Sequence, residues 1–343
     1  MPKVIYLSFL RTLMIAAIVI SIAASSVFSQ TPTPSPNPAL APVVELIRVG
    51  DFEKALKLLK QAVKENKTDG EAWYYLGIVY LQTSELNKAA DAFQKAVEVR
   101  PDLAAQAQGS YAYALVLRNR LDSAAVAANK ALEIDPNHIE ALYTLAIVEL
   151  RKGAREEAIK RADSIIALKP DYAAAYLLKS QAYVSYTAGG LYRNANKSKD
   201  EQLSSYRSAA EPLQTYLQLE TDPRAAQQWT EQLDTLRLII GERPGDSPIY
   251  KGADVTTKAK LISKPEPTYT QAARKDQIGG TVVLRCVFAA DGTVRHILVV
   301  QSPHNDLTES SIAAAKQIQF VPAKLNGKPV SMWMQLEYNY NLY

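Results

Sequence analysis

The chain has 343 residues, 48% hydrophobic and 22% charged, so it is too long for one small domain and too apolar to be disordered. The net charge of +4 is unevenly placed: 28 basic and 28 acidic residues precede Lys251, while 11 basic and 7 acidic residues lie from Lys251 onward. That excess suits an acidic peptide, a cell-wall polymer or a lipid headgroup, or a plain solvated surface. Basic and aromatic residues do not interleave as on a nucleic-acid-binding sheet, which argues against that class of partner.

Residues 1–29 read as a targeting segment, with Lys3 and Arg11 before an apolar run over 13–24 and with Val27 and Ser29 at the cleavage positions. Removal would leave an exported, periplasmic chain beginning near Gln30. The alternative is an inner-membrane anchor facing the periplasm, because residues 12–28 are nearly long enough to span a bilayer. No cysteine follows the run, which excludes a lipoprotein-type anchor. Residues 30–42, with TPTPSPNPALAP, form a proline-rich spacer that should be extended and solvated.

Residues 43–241 are expected to be helical and repetitive. Trp73, Leu76, Gly77, Tyr80, Ala89, Phe93, Ala96 and Pro101 fall at the spacing of a helix pair of about 34 residues, and so resemble a tetratricopeptide repeat (TPR). Small Gly77 and Ala89 let the paired helices approach, and Pro101 stops the second. A second unit carries Tyr111, Ala112, Leu115, Ala124, Ala128, Ala131 and Pro136, and a third Leu142, Leu145, Ala146, Ala158, Ala162, Ile165 and Pro170. Three units make a solenoid. Upstream, residues 43–49 and 52–65 read as a shortened repeat. Downstream, helices are expected over 172–186 and 206–219, separated by a polar insertion at 187–205, and a closing helix over 224–240 places Trp229, Leu233, Leu236 and Ile240 on one face.

The first helix of each repeat lines the groove, which places Tyr74, Ile78, Leu81, Tyr113, Val116, Tyr143, Ile147 and Leu150 inward. An aromatic and apolar groove of this kind accepts a hydrophobic peptide or packs against the chain's own helices. Basic residues for gripping a peptide carboxylate are not expected there.

Residues 242–250 read as a proline and glycine linker, followed by a separate domain over 251–343. After a short helix at 270–275, Val282, Leu284, Cys286 and Phe288 alternate with Val283, Arg285 and Val287, Asp291-Gly292 supplies a turn, and residues 294–300 are again β-branched, which predicts a hairpin. Asn305 or Asp306 caps a helix carrying Leu307, Ile312, Ala315 and Ile318, and a third strand is predicted over 331–340. Cys286, alone of its kind, cannot form an internal disulfide and reads as a small buried hydrophobe.

Pro267, Tyr269, Ala273, Gly280, Asp291-Gly292-x-Val294, Ser302, Ala314, Phe320-x-Pro322-Ala323 and Gly327-x-Pro329-Val330 together resemble the C-terminal domain of the TonB family. Thr270 departs from the family's Pro-x-Tyr-Pro pattern. The expected fold is therefore α+β and multidomain: an all-α TPR solenoid, then a small three-stranded TonB-like domain. The resemblance implies that outer-membrane TonB-dependent receptors pair a short peptide with the edge of the third strand, at Ser331, Met332, Trp333, Met334, Gln335, Leu336, Glu337, Tyr338 and Asn339. It further implies transmembrane transport in a Gram-negative envelope; the alternative is a secreted periplasmic scaffold binding cell-wall or envelope proteins without energy transduction.

Enzyme activity is not expected. His138, His296 and His304 are scattered, none sits at metal-ligand spacing, and neither a phosphate loop nor a nucleophile elbow occurs, so no cofactor or metal is implied.

Overall fold

The computed structural model describes residues 37–193, 199–242 and 248–341; the expected targeting segment lies outside the described residues, as does the start of the spacer. The chain forms two compact units. One contains the described residues up to Lys152 together with Arg161–Pro170, and the other contains Gly153–Lys160 together with the residues from Asp171 on.

The first unit is built from α1 (Ala41–Arg48), α2 (Phe52–Glu65), α3 (Gly70–Gln82), α4 (Leu86–Val99), α5 (Ala104–Leu117), α6 (Leu121–Ile134), α7 (Ile139–Lys152) and the C-terminal half of α8 (Arg155–Leu168). Local chemistry sets the helix starts. The carboxylates of Asp51 and Asp69 accept from Lys54 N and Ala72 N, at 3.2 and 3.0 Å, and His138 Nδ1 accepts from Ala141 N at 3.3 Å at the start of α7. Packing then fixes the pairs. A Cβ on Gly77 would sit 2.6 Å from the fully buried ring of Phe93, so only glycine permits the close approach of α3 and α4.

The interior of this unit is partly polar. Ser110 and Gln106 hydrogen-bond the Tyr74 hydroxyl, and Glu140, 6% exposed, has an oxygen 3.5 Å from His138 Nδ1. Burial pushes the Glu140 carboxyl up to about 7 and holds the His138 imidazole below its usual value.

The second unit begins, after the first half of α8, with α9 (Ala173–Arg193), α10 (Lys199–Leu219) and α11 (Pro223–Ile240). The region expected as a polar insertion is mostly helix, since α9 runs on to Arg193 and α10 starts at Lys199, before Tyr206. Extending an existing helix costs little beside nucleating a new one, even across Gly189 and Gly190.

The strands are β1 (Ile249–Tyr250), β2 (Lys260–Ser263), β3 (Gly280–Phe288), β4 (Val294–Gln301), β5 (Gln319–Val321), β6 (Ala323–Leu325) and β7 (Lys328–Tyr340), with α12 (Gln271–Lys275) and α13 (Asn305–Lys316) between them. The main sheet runs β1-β7-β3-β4, with β6 also on β7, and β2 pairs with β5. The expected three strands are β3, β4 and β7; the four short ones carry too few residues to show a period in sequence.

One face of the sheet presents Val282, Leu284, Cys286, Phe288, Leu336 and Tyr338 to a core with Leu307, Ala315 and Ile318. On the other face, Leu298, Val300 and Val283 pack with Tyr206, Leu213, Leu233 and Leu236 of α10 and α11. The closing helices and the sheet thus share one core. His304, rather than Asn305 or Asp306, caps α13, its Nδ1 accepting from Asp306 N at 3.3 Å. Thr270 Oγ1 caps α12 by accepting from Ala273 N at 3.2 Å, so the position that departs from the family pattern still terminates the extended segment.

Glu140 generates a pH prediction. Its carboxyl titrates higher folded than unfolded, so below about pH 4.5 both states hold the proton and no penalty exists. As pH rises toward 7 the unfolded chain ionises first and stability falls. Glu140→Gln should be near-neutral at pH 4.5 and stabilising by up to about 3 kcal/mol at pH 8, read as a pH-dependent shift in urea midpoint; an equal effect at both pH values contradicts it.

Candidate functional site: the free edge of the C-terminal strand

β3 and β7 pair without interruption from Gly280↔Tyr340 to Phe288↔Met332. This register decides what β7 offers to a partner. The carbonyl of Glu337 accepts from Lys264 Nζ at 2.8 Å, whereas the carbonyl of Met334 lies 3.8 Å from Cys286 Sγ on the neighbouring strand. Successive backbone groups point to opposite edges, so those of Trp333, Gln335, Glu337 and Asn339 turn away from β3.

The nine residues expected to form the edge are not equivalent. Ser331 and Met332 pair with Ile249 and Tyr250 of β1, so this part of the expected edge is covered, and Ser331 Oγ also accepts from Ala290 N at 3.1 Å. The covering strand comes from residues assigned to a linker by composition, a role that two residues cannot reveal in sequence. From Trp333 to Asn339, no strand pairs with the outer edge of β7 among the described residues. Met334, Leu336 and Tyr338 direct their side chains to the core face, and Leu336 and Tyr338 are fully buried. Gln335 and Glu337 hydrogen-bond to each other at 2.9 Å. Lys264 also sits 4.5 Å over the Tyr338 ring, so its ammonium stands on the edge an added strand would use.

Trp333 ties the edge strand to the helices behind it. Arg285 lies 5.1 Å from the Trp333 ring and donates from Nη1 to Tyr206 Oη on α10 at 2.7 Å. The opposite edge of the sheet, on β4, is met by α11: Gln232, 5% exposed, donates from Nε2 to Ile297 O at 2.7 Å and accepts at Oε1 from Val299 N at 2.8 Å. Sequence reading missed Gln232 and Arg285. Both lie in helical or alternating patterns where a polar residue reads as solvent-facing.

The expected TPR groove residues fare differently. Tyr74, Ile78, Leu81, Tyr113 and Val116 are buried in the cores of the first unit, while Tyr143, Ile147 and Leu150 are half-buried. The apolar row that looked like a groove floor is largely packed interior, with Tyr74 against Tyr75 and Phe93 at ring distances of 5.6 and 5.7 Å. A buried cation lies beside Tyr113 and Tyr143, engaged with the backbone. Arg151 donates to Val116 O at 3.1 Å in the last turn of α5, where positive charge suits the helix dipole.

Other reactive groups have structural roles. His138 and His304 accept backbone N–H groups at Nδ1, and burial pushes the Cys286 thiol up to about 12. Among the described residues no group of three or more His, Cys, Asp or Glu could hold a metal ion, and no helix is long and apolar enough to cross a membrane. A cleft of about 680 Å³ between α11, β4 and α13 is lined by charges of both signs, including Glu231, Arg295, Glu309 and Lys316.

Comparison with known proteins identifies two classes of unit. Residues 265–342 match the family model described as Gram-negative bacterial TonB protein C-terminal, and residues 51–171 match the cytochrome c-type biogenesis protein H TPR domain. The chain therefore carries tetratricopeptide repeats followed by a TonB-type C-terminal domain. Among curated proteins it is 28% identical over 126 residues to BBSome complex member BBS4 of Bos taurus, covering 36% of this chain and 24% of that protein. It is 27% identical over 134 residues to lipopolysaccharide assembly protein B of Haemophilus influenzae, covering 38% and 34%. The matched segment spans about a third or less of the length of these relatives. Similar solved structures include a MamA protein (TM-score 0.41, 22% identity, 54% of this chain and 94% of that one) and Pseudomonas aeruginosa PilF (0.46, 15%, 60% and 87%).

Removing the Arg285 partner with Tyr206→Phe should cost about 1–3 kcal/mol, because a bond to a charged donor inside the unit is lost. Chemical denaturation of the full chain measures it; an unchanged midpoint would show that Arg285 is held by Trp333 alone.

Proposed function

We propose that this protein is a cell-envelope adaptor that takes an extended peptide on the free edge of β7 and a second protein on its helical repeats. The observation that carries the reading is the row of outward backbone groups at Trp333, Gln335, Glu337 and Asn339, on a strand whose other side is fully paired. Such a row adds a strand by main-chain hydrogen bonding. The TonB-type match supports an envelope location and an outer-membrane TonB-dependent receptor as the peptide's source. The relationship to a lipopolysaccharide assembly protein points to the same compartment. On this reading the first 29 residues export the chain to the periplasm or hold it in the inner membrane. The half-buried Tyr143, Ile147 and Leu150 are the part of the repeat surface open to the second protein. Held in the inner membrane, the chain would act as an energy transducer on that receptor; with the segment removed, it would be a periplasmic scaffold that uses the same edge without energy transduction.

Proline at Glu337 removes one outward N–H without breaking a bond to β3. Glu337→Pro should weaken binding of a synthetic receptor peptide about 10- to 100-fold in isothermal titration calorimetry, with far-UV circular dichroism unchanged. Unchanged affinity in the folded variant would place the peptide elsewhere. Intact mass and membrane fractionation in a Gram-negative host then separate the transducer, full-length and membrane-bound, from the scaffold, which begins near Gln30 and is soluble.

A further inference from the structure

The main sheet has two edges: among the described residues β7 is bare beyond the two residues that β1 covers, and the function proposed above uses only that edge. β4 forms the other edge, and its outward groups at Ile297 and Val299 are chemically as competent to add a strand as those of β7. They are occupied by a side chain. The Gln232 carboxamide donates to Ile297 O and accepts from Val299 N, straddling Leu298. A residue in an added parallel strand makes the same pair of bonds, donating to the residue before its partner and accepting from the residue after it. The amide is buried, both its bonds are short, and its backbone is helical, so it offers no further edge to propagate. Leu298 and Val300, packed with Leu233 and Leu236, hold α11 against the strand on either side of this contact.

We propose that Gln232 is an edge-stop: it takes the place of an added strand on β4, confines strand addition to β7, and prevents the β4 edges of two copies from joining. A second copy is the occupant expected when the stop is removed, because a bare edge is self-complementary about a two-fold axis and each chain supplies the same groups. The confinement to β7 rests on the function proposed above. The closure of β4 does not.

The test uses the full chain with Gln232→Leu, which removes both bonds, and Gln232→Asn, which keeps the amide but withdraws it by one methylene. The expected result for both is amide exchange at Val299 at least ten times faster than in the parent chain. Helical circular dichroism should be unchanged, and the mass in sedimentation equilibrium should rise toward a dimer with concentration. Unchanged exchange at Val299 in a folded variant overturns the proposal, since the amide would then not cap the edge. Faster exchange with no gain in mass also overturns it, leaving Gln232 as a tie between helix and sheet. Should Gln232→Leu lose helical signal, Gln232→Asn decides. Neither readout involves a peptide on β7, so the outcome is independent of the Glu337→Pro experiment.

Discussion

The unbroken pairing of β3 with β7 is the constraint on which the second unit depends. Because side chains alternate strictly, one register sends Leu284, Cys286, Leu336 and Tyr338 to the α13 side and Arg285 and Trp333 to the α10 side. A slip of one residue would exchange the two sets, burying Glu337 and exposing Tyr338. The same register turns alternate backbone groups of β7 outward. The core and the uncovered edge therefore follow from a single pairing.

Both faces of the sheet are covered, which changes what the closing helices are for. In sequence they finish a repeat array. In the folded unit Leu233 and Leu236 share a core with Leu298 and Val300, Tyr206 holds Arg285, and Gln232 bonds Ile297 O and Val299 N of β4. β7 is thereby backed by helices, with Trp333, Arg285 and Tyr206 linking it to α10. The first unit obeys simpler rules: one glycine against one phenylalanine sets a helix spacing, and histidine and aspartate side chains satisfy helix starts.

The sequence by itself determined the repeat helices, their spacing, the hairpin and the long strand after it, since these rest on local periodicity: helical spacing with glycine and proline punctuation in the repeats, and alternation in residues 282–288; it did not reveal the helix through most of 187–205 or the four short strands. It also identified Cys286 as a buried hydrophobe, which its environment bears out. Only the tertiary structure decided which of those residues are accessible. Tyr74, Tyr113 and Val116 satisfy the groove positions of a repeat yet are core, because exposure depends on what neighbouring helices cover. Residues 249–250 became a strand that closes part of the edge, and Gln232, indistinguishable in sequence from any solvent-facing glutamine, became the cap of the other. Such pairings join residues far apart along the chain, as Gln232 meets Val299, and local pattern carries no information about them.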